Sequence, residues 1–128
     1  MSSGKATVET LRGFRSFDKV LTHGILYEKK PITAFVCIEK AEKAEVLVGF
    51  AIRRDINKAV KRNEIRRQMR EAFRINKDKL LSGILDDVRL KIVFMYASNS
   101  YLKERKKRYR AILEAMDHIC SNIRAAQK

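Results

Sequence analysis

The sequence is poor in the residues that build disulfide frameworks, zinc sites and rigid loops. Its 128 residues include two cysteines, two histidines, one proline and no tryptophan. Cys37 and Cys120 stand apart with no CxxC pair, and neither His23 nor His118 has a second ligand at metal-binding spacing. We therefore expect two free thiols in a reducing compartment, and neither a zinc site nor a Ser-His-Asp triad.

Long apolar runs are scarce as well. The longest one, residues 92–97, has six members, whereas a membrane-spanning helix needs about 20. The first ten residues, MSSGKATVET, contain no apolar stretch of the kind found in a secretory signal. At 45% hydrophobic residues the chain can still build one packed core. These features favour a single-domain cytoplasmic protein with a flexible N-terminus at residues 1–7 and a short tail at 125–128.

Negative charge is also in short supply. The chain has 29 Lys and Arg against 15 Asp and Glu, which gives a formal net charge of +14. Such an excess on a small body repels itself at low salt unless a polyanion neutralises it. An anionic membrane surface would call for a basic amphipathic helix at a terminus, but the basic residues here are mostly internal. Nucleic acid is therefore the expected partner.

Hydrophobic spacing predicts an α+β domain, a single-domain sandwich of sheet and helices. Helical spacing marks three segments and alternating residues mark three clear strands, with a brief extended piece between the first helix and the first of these strands. In the order α-β-β-β-α-β-α, the predicted elements are residues 8–22, 25–27, 32–39, 46–52, 57–77, 91–96 and 98–123. The strands 32–39 and 46–52 share one apolar face, so we expect them to pair as an antiparallel hairpin covered by helices.

The predicted helix over residues 58–77 carries the densest chemical information. At about 100° per residue, its apolar residues form one sector and its basic residues the next. Four arginines follow at steps of four: Arg62, Arg66, Arg70 and Arg74. A solvated helix would mix acids and bases at this spacing, because a like-charge row is destabilising without a partner. Since the guanidinium fork binds phosphate with two hydrogen bonds, we interpret the row as a polyanion-binding face without acidic partners inside the chain.

The motifs of this helix resemble those of a known family. The segments KRN at 61–63, IRR at 65–67 and REAFR at 70–74 resemble the signature of the protein subunit of bacterial ribonuclease P. The segments FDKVLTHG at 17–24 and GFAI at 49–52 are similar to the family's first-helix motif and to the strand before its Arg-rich helix. The resemblance covers roughly residues 10–123 and suggests a family domain over 8–124.

The sequence departs from the family pattern at three places. Asn57 stands where a glycine is usual, and Ala97-Ser98-Asn99 stands where an Arg-Pro pair is frequent. Leu21 occupies a position that is commonly aromatic, and a leucine cannot stack on a base as an aromatic ring does.

The resemblance implies a four-stranded sheet packed on helices, with a left-handed βαβ crossover at the Arg-rich helix. It implies that this helix binds the catalytic RNA subunit. The positions that carry this role are Lys61, Arg62, Asn63, Arg66, Arg67, Arg70 and Arg74. It also implies a cleft between the sheet and the first helix for the single-stranded 5′ leader of precursor tRNA, to which we assign Phe17 and Phe35. The alternative is that the two rings belong to a hydrophobic cluster beneath that helix.

The activity implied by the resemblance is Mg²⁺-dependent removal of the leader to form the mature tRNA 5′ end. The RNA subunit would provide the active site and bind most of the Mg²⁺. The implied partners are ribonuclease P RNA and precursor tRNA, with no membrane and no obligate protein partner. The Asp86-Asp87 pair is interpreted as a turn before a strand rather than as a Mg²⁺ site.

Three other functions would account for part of this sequence pattern. A ribosomal or general structured-RNA-binding protein would share the charge, the size and the α+β build. A helix-turn-helix DNA-binding protein fits less well, because a strand precedes the Arg-rich helix. A stand-alone nuclease would need clustered carboxylates or histidines, which could assemble only in three dimensions. The basic run KERKKRYR at 103–110 either extends the RNA-binding surface or begins a solvated helix.

Overall fold

The computed structural model describes residues 7–53, 59–84, 86–96 and 104–126. Within these ranges the chain forms five strands and three helices. The strands are β1 (Thr7–Thr10), β2 (Ile25–Lys29), β3 (Ile32–Lys40), β4 (Glu45–Ile52) and β5 (Val88–Tyr96). The helices are α1 (Phe14–His23), α2 (Ala59–Gly83) and α3 (Arg105–Ala126). The fold is the expected α+β class. The first and last elements reach one residue before and two residues beyond the expected domain limits.

The five strands form one mixed sheet in the order β1-β4-β5-β3-β2. The central strand β5 is antiparallel to β3 and parallel to β4. At the edges, β1 runs parallel to β4 and β2 runs antiparallel to β3. The chain passes from β4 to its parallel neighbour β5 through α2, so the Arg-rich helix lies in a βαβ crossover. The left-handedness of this crossover stays a prediction.

Two predictions about the sheet are wrong. The sheet has five strands rather than four, because residues 7–10 pair with β4 instead of starting the first helix. Three of these four residues are β-branched, which favours a strand. The chain then turns at Gly13, whose φ of 92° is rarely adopted by other residues, and α1 begins at Phe14.

The predicted hairpin between β3 and β4 does not form, because β5 lies between these two strands. Ile92 and Val93, on opposite faces of β5, are both fully buried. Buried apolar residues on both faces favour a place in the middle of the sheet, where helices cover the strand on each side. The apolar face shared by β3 and β4 favoured pairing them directly, but β5 takes the position between them and is buried there.

The predicted buried sides of α2 and α3 agree with the structure, whereas the predicted end of α2 does not. The buried residues of α2 include Ile65, Met69 and Phe73, as expected, but the helix runs beyond Lys77 to Gly83 because Leu80 continues the buried side. The predicted apolar stripe of α3 is confirmed. Its buried members are Ile112, Met116, Ile119, Cys120 and Ile123. The predicted starts of the Arg-rich helix at residue 57 and of the last helix at residue 98 lie outside the described residues.

Helices cover both faces of the sheet, but to different extents. Helices α2 and α3 cover one face and close the main core, in which Ile32, Val46 and Phe94 are fully buried or nearly so. Helix α1 covers the other face, which we call the α1 face, over a small cluster whose buried members are Leu11 and Val20 together with Val93. Because stability scales with buried apolar area, the main core contributes more to the stability of the fold than the small cluster does. The small cluster leaves neighbouring side chains partly accessible.

Candidate nucleic-acid interface

Helix α2 distributes its residue types by side. Ile65, Met69 and Phe73 face the sheet. Glu64 and Gln68 face α3, where they bond to side-chain and backbone atoms of its first turn. The seven residues predicted to contact the RNA subunit all lie in α2 and none is fully buried; we call them the basic side of α2. They are Lys61, Arg62, Asn63, Arg66, Arg67, Arg70 and Arg74.

Three arginines on the basic side of α2, Arg66, Arg67 and Arg70, have no acidic partner among the residues that the structure describes. Arg66 donates a hydrogen bond from Nη1 to Asn63 Oδ1 at 3.2 Å, which joins the two polar residues of the motif across one helical turn. Arg67 and Arg70 are exposed and form no salt bridge with any residue that the structure describes. Their positive charge is therefore available to an external polyanion.

Arg74 departs from the expected row. Its guanidinium donates hydrogen bonds to both carboxylate oxygens of Glu71, at 3.1 and 2.5 Å. The hydrogen bond from Arg74 holds the pKa of Glu71 below its ordinary value. Within the described ranges, the expectation of arginines without acidic partners is thus correct for Arg66 and Arg70. It is wrong for Arg74, because an acid three residues away in the same helix lies within reach of its guanidinium. This pair is exposed and contributes little to stability.

The basic run at 103–110 divides between the protein interior and solvent. Arg108 is fully buried, donates to Gln68 Oε1 at 2.7 Å and forms an ion pair with Glu64. Arg105 also contacts Glu64, at 3.2 Å, while its backbone carbonyl accepts a hydrogen bond from Gln68. Lys106 and Arg110 are exposed. Neither earlier interpretation covers the whole run, because two of its arginines join α3 to α2. Lys103 lies outside the described residues.

Glu64 is the acid at the centre of this interhelical contact. Burial alone would raise its pKa, but the hydrogen bonds and positive charges of Arg108 and Arg105 outweigh burial and lower the pKa below its ordinary value. A carboxylate that stays ionised here holds two arginines of α3 in place. The contact therefore fixes the position of α3 beside the Arg-rich helix.

The two predicted leader-binding rings lie together on the α1 face. Phe17 of α1 and Phe35 of β3 are both half-buried and pack against the small cluster of Leu11, Val20 and Val93. Phe17 rests directly over Gly49, since a Cβ added at Gly49 would come within 2.3 Å of the ring. The missing side chain of Gly49 therefore makes the space in which Phe17 lies. Both rings contribute to the packing of α1 and keep part of their surface exposed.

A charged network lies on the same sheet face. Glu39 contacts Lys19, Arg89 and Lys91 at 3.4, 3.5 and 3.1 Å, and Arg89 also contacts Glu45 at 2.8 Å. Burial opposes ionisation of Glu39, but hydrogen bonds and charges from Lys91 and Lys19 keep its pKa below the ordinary value.

The cations of this network were missed by sequence reasoning, although the alternation of β5 places Lys91 opposite Cys37 on the face that carries Phe35. The sequence analysis predicted the strand but did not work out which face of the sheet its basic residues occupy.

Other candidate groups have ordinary structural positions. Cys37 and Cys120 are free thiols, as predicted, and burial raises the pKa of Cys120 to about 12. Asp86 and Asp87 form the predicted turn before β5. In the described ranges, His, Cys, Asp and Glu side chains do not gather in groups of three or more that could hold a metal ion. Helices long and apolar enough to cross a membrane are likewise absent from that part of the chain.

Comparisons with known proteins identify the family. The family model described as Ribonuclease P matches residues 6–122. The ribonuclease P protein component of Clostridioides difficile (strain 630) is 32% identical over 72 residues, which cover 56% of this chain and 61% of that protein. The protein of the same name from Natranaerobius thermophilus is 30% identical over 76 residues, covering 59% and 64%. The matched segment thus spans about three fifths of either relative.

Solved structures show the same fold. The RNase P protein of Staphylococcus aureus superposes with a TM-score of 0.62 at 15% identity, covering 89% of this chain and 94% of that one. The RNase P protein of Thermotoga maritima gives a TM-score of 0.60 at 19% identity, covering 88% and 96%. The described fold, the Arg-rich helix in its crossover and the family match over most of the length lead to one conclusion: this chain belongs to the family of bacterial ribonuclease P protein components.

Proposed function

We propose that this chain binds the catalytic RNA subunit of ribonuclease P through the basic side of α2 and assists removal of the 5′ leader from precursor tRNA in the cytoplasm. The observation that carries the proposal is the presence of Arg66, Arg67 and Arg70 on one accessible side of α2, without acidic partners among the described residues. Arginines in this state bind phosphates and release counterions from RNA, so the affinity should fall with salt.

The α1 face supplies the second part of the proposal, the contact with the leader. Phe17 and Phe35 expose parts of two aromatic rings, and base stacking on such rings is worth about 1–3 kcal/mol per base. The three cations of the network on this face outnumber the two acids that they contact, Glu39 and Glu45, so one positive charge is left over for a phosphate backbone. A single strand needs this combination of rings and cations, whereas an RNA duplex hides its bases in the stack.

The chemical step is assigned to the RNA subunit. Mg²⁺ bound to that RNA would supply the activated water and stabilise the departing oxygen. In this chain the carboxylates nearest the basic side, Glu64 and Glu71, are already bound by arginines, which makes them poor ligands for a metal ion. The contribution of the chain is affinity for the leader-bearing substrate and neutralisation of phosphate repulsion between two RNAs.

Reconstitution tests this function. The chain is mixed with a transcribed bacterial ribonuclease P RNA and a precursor tRNA at low Mg²⁺, and cleavage at the mature 5′ end is followed. We expect cleavage only when both subunits are present, and a loss of stimulation with Arg66→Ala/Arg70→Ala. A folded chain that binds the RNA without stimulating cleavage would favour a general structured-RNA-binding protein. Cleavage by the chain freed of RNA would contradict the proposal.

A further inference from the structure

A groove lies between α2 and α3, beside the basic side of α2. One wall is formed by Arg67, Gln68 and Glu71 of α2, and the other by residues of the first turns of α3, among them Lys106 and Tyr109. Its volume is about 420 Å³, within the range of small-molecule sites, about 300–1,000 Å³. We call it the interhelical groove.

The charges in the interhelical groove leave a positive excess. Its two acids are both paired, Glu64 with Arg105 and Arg108, and Glu71 with Arg74. Its two other cations, Arg67 and Lys106, are exposed and form no salt bridge with a described residue. The groove therefore attracts an anion at its rim, although its walls contain carboxylates.

Tyr109 adds an aromatic surface to this positive groove. Its ring is half-buried and packs on the edge of the main core, while part of it lines the groove. A ring that is held by the core and still lines the groove offers an aromatic surface for a nucleobase. The cations at the rim lie where the phosphates of that nucleotide would pass.

The walls of the groove are held in place before any ligand arrives. Arg108 is fully buried between the helices and bonds to Glu64 and Gln68, and Gln68 also donates to the Arg105 carbonyl at 3.1 Å. These bonds cross from α2 to α3 and involve Glu64, Gln68 and Arg105, which line the groove. A preformed site loses less conformational entropy on binding than one that must be ordered.

We propose that the interhelical groove binds one unstacked nucleotide of the RNA subunit, with its base against Tyr109 and its phosphates against Arg67 and Lys106. This subsite rests on the proposed function, since it extends the RNA contact from α2 onto α3. It also gives the exposed part of the 103–110 run a role that the buried Arg108 does not share.

The test measures binding of a transcribed bacterial ribonuclease P RNA at several salt concentrations. Tyr109→Leu should weaken binding about five- to tenfold without changing the salt slope, because stacking is lost and no charge is removed. Tyr109→Phe should retain the affinity. Lys106→Ala should reduce the slope by about one unit. The control is Lys107→Ala, since Lys107 lies outside the groove lining and pairs with Glu104 at 3.6 Å; it should leave the slope nearly unchanged.

A second measurement does not depend on substitution. Acylation of surface lysines, mapped by mass spectrometry, should show Lys106 protected by the RNA and Lys107 much less so. If Arg66→Ala/Arg70→Ala weakens binding while Tyr109→Leu and Lys106→Ala bind like the wild type, the groove proposal is overturned and the proposed function stands. If the wild-type chain does not bind the RNA, the proposed function fails as well.

Discussion

Two basic segments of this chain, the basic side of α2 and the first turns of α3, carry similar charge and meet different surroundings. On α2, Arg66, Arg67 and Arg70 face solvent without acidic partners among the described residues. On α3, Arg105 and Arg108 are held by Glu64. The difference lies in where the acids are, because α2 directs Glu64 toward α3 and away from its own arginines. Density of positive charge in a sequence therefore does not by itself mark an RNA-binding surface.

The largest expected effect comes from removing the buried arginine of α3. Arg108→Ala should lower the free energy of unfolding by about 3 kcal/mol, because it leaves Glu64 and Gln68 without their buried partner. Urea denaturation without RNA measures this. Arg70→Ala, which removes an exposed arginine, should change the same quantity by less than about 0.5 kcal/mol. Similar losses for both variants would show that the two segments do not differ as described.

The external side of the comparison is tested by RNA binding. Arg66→Ala/Arg70→Ala should weaken binding of the RNA subunit by about 2 kcal/mol and reduce the salt slope by about two units, one for each lost phosphate contact. Titrations at several salt concentrations give both values. Arg124→Ala, at the far end of α3, is a control that removes one exposed positive charge and should leave the slope nearly unchanged. An unchanged slope in the double variant would remove these arginines from the interface.

A substitution on the α1 face leaves both basic segments intact, so it tests the leader contact separately from the contact with the RNA subunit. Gly49→Ala places a Cβ against the Phe17 ring, and overpacking of this kind costs about 1–2 kcal/mol of stability. It should also reduce the preference of the holoenzyme for precursor tRNA with a leader over mature tRNA, while affinity for the RNA subunit stays the same. If Gly49→Ala weakens binding of precursor tRNA and of the RNA subunit equally, the position of the Phe17 ring does not act on the leader alone.

The smallest effect concerns acid pH. The pKa of Glu64 is lowered in the folded chain, so its ionised form stabilises the fold above the ordinary value of 4.5, and this stabilisation is lost as the pH falls through the lower, folded-state pKa. Unfolding measured from pH 7 to pH 3 should therefore show a stability difference between wild type and Glu64→Gln that narrows below about pH 4.5. Glu71→Gln should show a smaller change, because the Glu71–Arg74 pair is exposed. A difference for Glu64→Gln that is independent of pH would contradict the role of its charge.

Much of the fold followed from periodicity, and its errors have identifiable causes. The apolar sides of α2 and α3 were predicted correctly, because buried residues such as Ile65 and Ile112 recur along each helix at the helical spacing. Strand order was not, because pairing β5 between β3 and β4 depends on contacts between distant segments. The short strand β1 was missed because four residues carry too little pattern to compete with the helical spacing that follows them.

The candidate site was predicted in part for the same reasons. Arg66 and Arg70 were placed on an exposed side by helix geometry alone. The burial of Arg108 could not be predicted, since it requires Glu64 and Gln68 to face another helix. The seat of Phe17 on Gly49 likewise depends on how α1 crosses the sheet. Sequence pattern therefore locates side chains on an element, and the packing of elements decides which charges remain available.

The most direct measurement is arginine modification by phenylglyoxal in the free chain and in its complex with ribonuclease P RNA, mapped residue by residue by mass spectrometry. Arg66, Arg67 and Arg70 should react in the free chain and be protected at saturating RNA, while Arg108 should stay unreactive in both states. Reaction of these three arginines at the same rate with and without RNA would contradict the central claim that they form the RNA-binding surface.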